Sequence, residues 1–336
     1  MGTQKAGIGR ITAALVAVAS MLPYLTLKVL WLTGHPIGVT DPNVMNDSTM
    51  VGMNTMTFGM DAVGFVLAVA FTARWGMRLP SWLVLLPLWV GTGLLGVVVV
   101  TVPIGVLVEG ISLFATGGPI EPWVYMMVYG GFIGQGVGLM AAFVLYARDR
   151  WPVAFTTALG HPFVSRTRPF QTVVARGALL VSAVIGATRL YWAFGGTAGL
   201  PAEAVGQASF VGALQDGVKG LAAIVGAIAL VVLVRAQGRR PFRQPLIAAW
   251  FASGSMFGWG LYAMILVAVG GPLGGPVQGA VTLVELFTLL TGLVMGMCGA
   301  FLLTERSRVG DVQAVQEPLE GEDREGDRQA AYHGHR

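Results

Sequence analysis

Six ionisable residues stand inside long apolar runs of this chain, and they are the side chains best placed to do chemistry: Lys28, Asp61, Arg189, Asp216, Lys219 and Glu285. The amides Asn54, Gln135 and Gln215 fall at similar depth in their own runs. A charge in hydrocarbon is costly unless paired or hydrated, so each is by default a candidate for function. The acids could accept a cation or a proton, and the bases could set the charge state of the acids or hold an anionic substrate. Three bases and three acids can also neutralise one another, which points to one polar centre. On one reading that centre is a water-accessible vestibule for an ion or small charged solute. On the other, Lys28 and Arg189 snorkel to headgroups beside Trp31 and Trp192, while Asp216 and Lys219, three residues apart on one helical face, cancel each other. Asp61 sits near the middle of its run and cannot snorkel far, which favours function there.

A second pattern is the methionine row Met50, Met53, Met56 and Met60. Thioether sulfurs at helical spacing suit Cu(I) and copper uptake, but they also fill irregular packing, and no intramembrane His supports a metal. Catalytic signatures are absent: no Gly-rich loop before Lys-Ser or Lys-Thr, no His-Glu-x-x-His and no Gly-x-Ser-x-Gly. The single cysteine, Cys298, lies inside an apolar run, which excludes a disulfide framework. No catalytic residue and no cofactor is expected.

The elements that must position these groups follow from composition. Of 336 residues, 54% are hydrophobic and 11% charged, which excludes an ordinary soluble domain. Eight runs reach the roughly 20 apolar residues needed to cross a bilayer. They cover residues 11–33, 50–73, 82–105, 123–147, 171–194, 208–234, 245–269 and 280–303. The net charge of +4 comes from arginines between runs rather than from one basic face, so nucleic acid is not an expected partner and membrane lipid is. Basic residues gather in alternate connections: Lys5 and Arg10; Arg74 and Arg78; Arg148, Arg150, Arg166 and Arg168; Arg235, Arg239, Arg240 and Arg243; Arg306 and Arg308. The other four connections hold Asp41, Asp47, Glu109, Glu121 and Glu203 instead. The positive-inside rule then places both termini in the cytoplasm, and the expected setting is the plasma membrane of a bacterium.

The chain also resembles itself. Shifted by 161 residues, 28–93 falls on 189–254 with 14 identities in 66 pairs, against roughly one in twelve expected from so biased a composition. Lys28 pairs with Arg189, Trp31 with Trp192, Gly34 with Gly195, Gly38 with Gly199, Trp89 with Trp250 and Gly93 with Gly254, while Asp61 pairs with Ala222. A shift of 158 then aligns AFVLYARDR at Ala142 with AFLLTERSR at Ala300. Two tandem units of four spans, an even number, must share one orientation, related by an axis along the membrane normal. The expected architecture is an all-α, eight-helix transmembrane bundle: residues 1–147 as the first four-helix repeat, 148–170 as a cytoplasmic linker, 171–304 as the second repeat, and 305–336 as a disordered cytoplasmic tail. Glycines at spacing four, such as Gly130, Gly134 and Gly138, should let helix backbones approach closely.

At RLYWAFGGTAGL, from Arg189 to Leu200, the chain resembles a widespread group of multi-pass membrane proteins of actinobacteria, in which a basic residue, a Trp and a Gly-Gly pair end a helix. The resemblance implies a membrane fold and brings no activity. The residues themselves point to permease-like binding or transport of a small solute or ion, with a non-transporting scaffold, immunity factor or regulator as the competing class.

Overall fold

The computed structural model describes residues 6–115, 118–160, 167–206, 209–269 and 279–333, except the side chains of Glu203 and of residues 307–333. Lys5 and Arg166 lie outside the described residues, as do the side chains of Glu203 and Arg308. Among those described, eight helices are long and apolar enough to span a membrane. They are α1 (Ile8–Leu32), α2 (Ser48–Thr72), α3 (Ser81–Glu109), α4 (Pro122–Arg150), α5 (Arg168–Ala193), α6 (Phe210–Arg235), α7 (Arg243–Val269) and α8 (Ala280–His333). The protein is therefore a multi-pass membrane protein. Its large exposed apolar side chains, among them Leu15, Val66, Leu107, Val173, Leu221, Leu283 and Phe301, are the surface that lipid covers.

The eight spans coincide with the runs read from sequence to within a few residues at most ends. The backbone of α8 runs on as helix past its apolar run to His333.

Loop contacts sort the connections onto two faces. On the terminal face, Arg10 at the start of α1 bonds Asp149 at the end of α4 at 3.0 Å. There Tyr146 also donates to the Gly76 carbonyl, and Thr167 before α5 donates to Glu305 in α8. On the opposite face, the α1–α2 and α3–α4 connections meet at a bridge between Val39 and Ile120.

Packing runs through small residues. An added Cβ on Gly138 would lie 2.6 Å from Ala17 on α1, and one on Gly134 would lie 2.1 Å from the Ser20 hydroxyl. Gly130 of the same row meets nothing within 4 Å. Gly186 of α5 and Gly220 of α6 each approach the other's carbonyl oxygen. α1 leans chiefly on α4 and then α2, whereas α5 leans chiefly on α6, and α8 more on α7 than on α5.

The two halves meet mainly where α3 crosses α7. A Cβ on Gly93 would fall 2.1 Å from the Gly254 carbonyl carbon, and one on Gly254 would fall 2.2 Å from the Trp89 carbonyl oxygen. Trp89 donates its indole N–H to Ser253 at 2.9 Å, and Trp250 donates its own to Thr92 at 3.0 Å. Trp89 stacks on Phe257 and Trp250 on Phe143. This seam is built of aromatic, small and hydroxyl-bearing side chains, with no ion pair across it among the described residues.

Candidate functional site

α1 and α5 end alike. In α1, Gly34 (φ 86°) donates to the Trp31 carbonyl and His35 to the Leu30 carbonyl. In α5, Gly195 (φ 89°) donates to Trp192 and Gly196 to Tyr191. A glycine at positive φ closes both helices in the Schellman pattern, which satisfies carbonyls the helix leaves open. Each end is then tied down by an indole: Trp31 donates to the Ile37 carbonyl at 2.9 Å and Trp192 to the Ala198 carbonyl at 3.0 Å. One turn before each Trp, on the same inward face, stand Lys28 and Arg189, at 0% and 2% exposure. Neither snorkels; both turn into the bundle.

The structure divides the six ionisable residues into two groups. In the first half, Lys28 donates to the Thr57 hydroxyl on α2 and lies 4.4 Å from the centre of the Tyr24 ring, one turn back on α1. Asp61, also on α2, is buried, and its Oδ1 accepts from Gln135 of α4 at 3.2 Å. Its Oδ2 is buried with no partner among the described residues.

The second group is more tightly built. Arg189 donates from Nη1 to Asp216 on α6 at 2.7 Å and from Nη2 to Glu285 on α8 at 2.8 Å. The guanidinium thus joins three helices, and such charge-assisted bonds are the strong ones in low dielectric. The close approach of Gly186 to Gly220 makes this reach possible, since a Cβ on Gly220 would press on the Cβ of Arg189 at 3.2 Å. Asp216, one turn before Gly220, is thereby brought beside the guanidinium. Lys219 makes no ion pair with Asp216 among the described residues, Asp216 being paired with Arg189. Its ammonium lies instead 4.1 Å from the centre of the Trp259 ring on α7, a cation–π arrangement.

Beside Arg189 is a cavity of about 10 Å³, lined among the described residues by Arg189, Lys219, Ser255, Trp259 and Thr288 together with apolar side chains. That is room for about one water molecule. Three buried polar atoms of these residues have no partner among the described residues: Arg189 Nε, Ser255 Oγ and Trp259 Nε1.

All six residues are thus buried or half-buried, but they do not share one centre between the halves. The expected common site is replaced by one cluster within α1, α2 and α4 and another within α5, α6 and α8. The reason is contact: an ion pair in a low-dielectric interior needs its partners touching, and the closest packing of α1 and of α5 is with helices of their own half. Between the clusters, Trp259 packs with Tyr125, Tyr129 and Phe132 of α4 against Val98 and Val102 of α3.

Arg189 lies about 6 Å inside the end of α5, and Glu285 and Asp216 about 8 and 9 Å inside α8 and α6, at 1.5 Å per residue. All three therefore lie towards the face opposite the termini, as their order in the runs suggests. The methionine row splits: Met50 and Met53 are buried, Met50 packing with Leu27, Trp31 and Met45, whereas Met60 is exposed. No group of three His, Cys, Asp or Glu residues able to hold a metal occurs among the described residues.

Sequence reasoning missed Tyr24, Thr57, Ser255 and Trp259, which complete the two clusters. Tyr24 carries a signal, standing one turn from Lys28 on the same face; nothing in the sequence links Trp259 to Lys219. It also passed over Arg176, exposed on α5 about 12 Å inside the helix start.

Comparison of the chain with protein-family models, with curated proteins and with solved structures finds no match in any of the three.

Proposed function

We propose that this multi-pass protein binds, and moves across the bilayer, a small ion or charged solute at the Arg189 cluster, in the manner of a permease. The observation that carries the reading is the nearly fully buried Arg189 holding carboxylates from two other helices beside a cavity that also touches Lys219. Intramembrane charge of this density is expensive, and function is the usual reason it persists. A second reading, a non-transporting scaffold or regulator, is favoured by the local charge balance: two bases and two acids here, one of each in the first half. The small size of the cavity also favours it.

We further infer that the chain is two tandem four-helix repeats in parallel orientation, with a pseudo-twofold axis along the membrane normal, in the plasma membrane of a bacterium with both termini in the cytoplasm. Kinship with the actinobacterial membrane proteins belongs to the same proposal. The reciprocal bonds of Trp89 to Ser253 and Trp250 to Thr92 support the repeat, since each residue lies 161 positions from its counterpart in the other bond. The two matching helix ends support it at the same spacing. The halves differ in where α4 and α8 lean, so any symmetry is approximate.

The test is a proteoliposome flux screen over small inorganic ions and charged metabolites, comparing wild type with Lys219→Met. Flux above protein-free vesicles that falls at least tenfold in the variant supports the permease. No flux of any solute in the wild type selects the scaffold.

A further inference from the structure

The lining of the cavity is one-sided in its chemistry. Arg189 and Lys219 both carry positive charge, and no carboxylate is among the lining residues. Asp216 and Glu285 hold Nη1 and Nη2 of the guanidinium, which leaves Nε without an acceptor. Trp259 Nε1 and Ser255 Oγ are likewise buried and unpartnered among the described residues. Lys219 has no carboxylate within ion-pair distance among the described residues, and its ammonium has the Trp259 ring beside it. The Thr288 hydroxyl already donates to the Val284 carbonyl at 2.6 Å. One unpartnered acceptor stands near, Glu285 Oε2, on the guanidinium rather than in the lining.

Four donors thus belong to residues that line a space for one small occupant, and buried donors left without acceptors are costly. A water molecule accepts about two hydrogen bonds, so it leaves some of these donors unsatisfied. A monatomic anion can accept from all of them, and it gives Lys219 the ion-pair partner that this lysine lacks among the described residues. The volume, room for about one water, excludes polyatomic anions such as sulfate or phosphate. We propose that this cavity is a binding site for a single halide ion, held by Lys219, Arg189 Nε, Trp259 Nε1 and Ser255 Oγ. The proposal rests on reading the Arg189 cluster as a ligand site, and not on movement of that ligand across the bilayer.

The experiment uses the full-length protein in detergent micelles and follows its thermal unfolding midpoint in sodium chloride, bromide, gluconate or sulfate at equal ionic strength. A ligand that binds only the folded state raises the midpoint saturably. The expected result is a saturable rise with chloride and bromide and none with gluconate or sulfate. The rise should be lost in Lys219→Met, and the apparent affinity should weaken about tenfold in Trp259→Phe, which keeps the ring and removes one donor. If Lys219→Met does not fold, Trp259→Phe and Ser255→Ala carry the comparison. Equal midpoints in all four salts, the behaviour of a cavity holding only water, overturn the proposal, as does a halide effect unchanged in every variant. Set beside the flux screen, failures separate. Halide binding without flux of any solute leaves the site standing and removes the permease; flux of another solute without halide stabilisation removes the site and leaves the permease.

Discussion

Replacing Arg189 with Met tests whether the ion triad is coupled as the geometry implies. The substitution keeps length and apolar bulk but takes from Asp216 and Glu285 the one cation that contacts both. The Glu285 side chain is 13% exposed and that of Asp216 is 31%. Breaking a buried pair by removing one partner costs about 3–5 kcal/mol, because a charge is left uncompensated. Only Glu285 is buried enough to incur that in full, and the share of Asp216 is discounted because solvent or headgroups can reach it. The expected loss is therefore about 3–5 kcal/mol in all, rather than twice that, and a large part of a typical stability of about 5–15 kcal/mol. The neutral triple variant Arg189→Met, Asp216→Asn, Glu285→Gln strands no charge and should recover to within about 1–2 kcal/mol of wild type. Equilibrium unfolding in mixed detergent micelles, read as a mutant cycle over the three positions, measures both. A loss under about 1 kcal/mol in Arg189→Met, or a triple variant no more stable than the single, refutes the coupling. A triple variant that is stable but has lost flux would assign the triad to function rather than to folding.

Other outcomes follow from the same contacts. Gly93→Ala should destabilise by about 1–3 kcal/mol, because its new methyl falls on the Gly254 backbone; Gly59→Ala, where nothing lies within 4 Å, is the control and should stay near wild type in the same unfolding assay. Trp89→Phe and Trp250→Phe each remove one indole bond at the seam, for about 0.6 kcal/mol; similar losses are expected, and a severalfold difference between them would count against a twofold relation of the halves. Gly220→Ala should loosen the α5–α6 contact and weaken the Arg189–Asp216 bond, costing about 1–3 kcal/mol, much of which should vanish in an Asp216→Asn background. Because Cys298 is buried, single cysteines can report topology: in intact cells an impermeant maleimide should label Thr197→Cys and not Thr156→Cys, and the reverse pattern would invert the proposed orientation.

The amino-acid sequence alone determined that the chain crosses the membrane eight times and roughly where each crossing begins and ends. Hydrocarbon leaves a backbone no partner but itself, so each span must be a continuous apolar run, visible in one dimension. The ends of α1 and α5 were nearly as legible, since Gly34 and Gly195 sit where a helix must turn to positive φ, each three residues after a Trp. The depth of the six charges also followed from their place in each run. Which of those charges meet did not. Lys28 and Arg189 are paired by the internal alignment, yet one rests on a hydroxyl and a tyrosine ring while the other grips two carboxylates. That difference depends on Gly186 and Gly220 letting α5 and α6 touch, and on α8 bringing Glu285 to the same guanidinium. Trp259 reaches Lys219 only through the placing of α7. An ion pair is decided by contacts of a few ångströms between helices far apart in the chain, and helix packing sets those contacts.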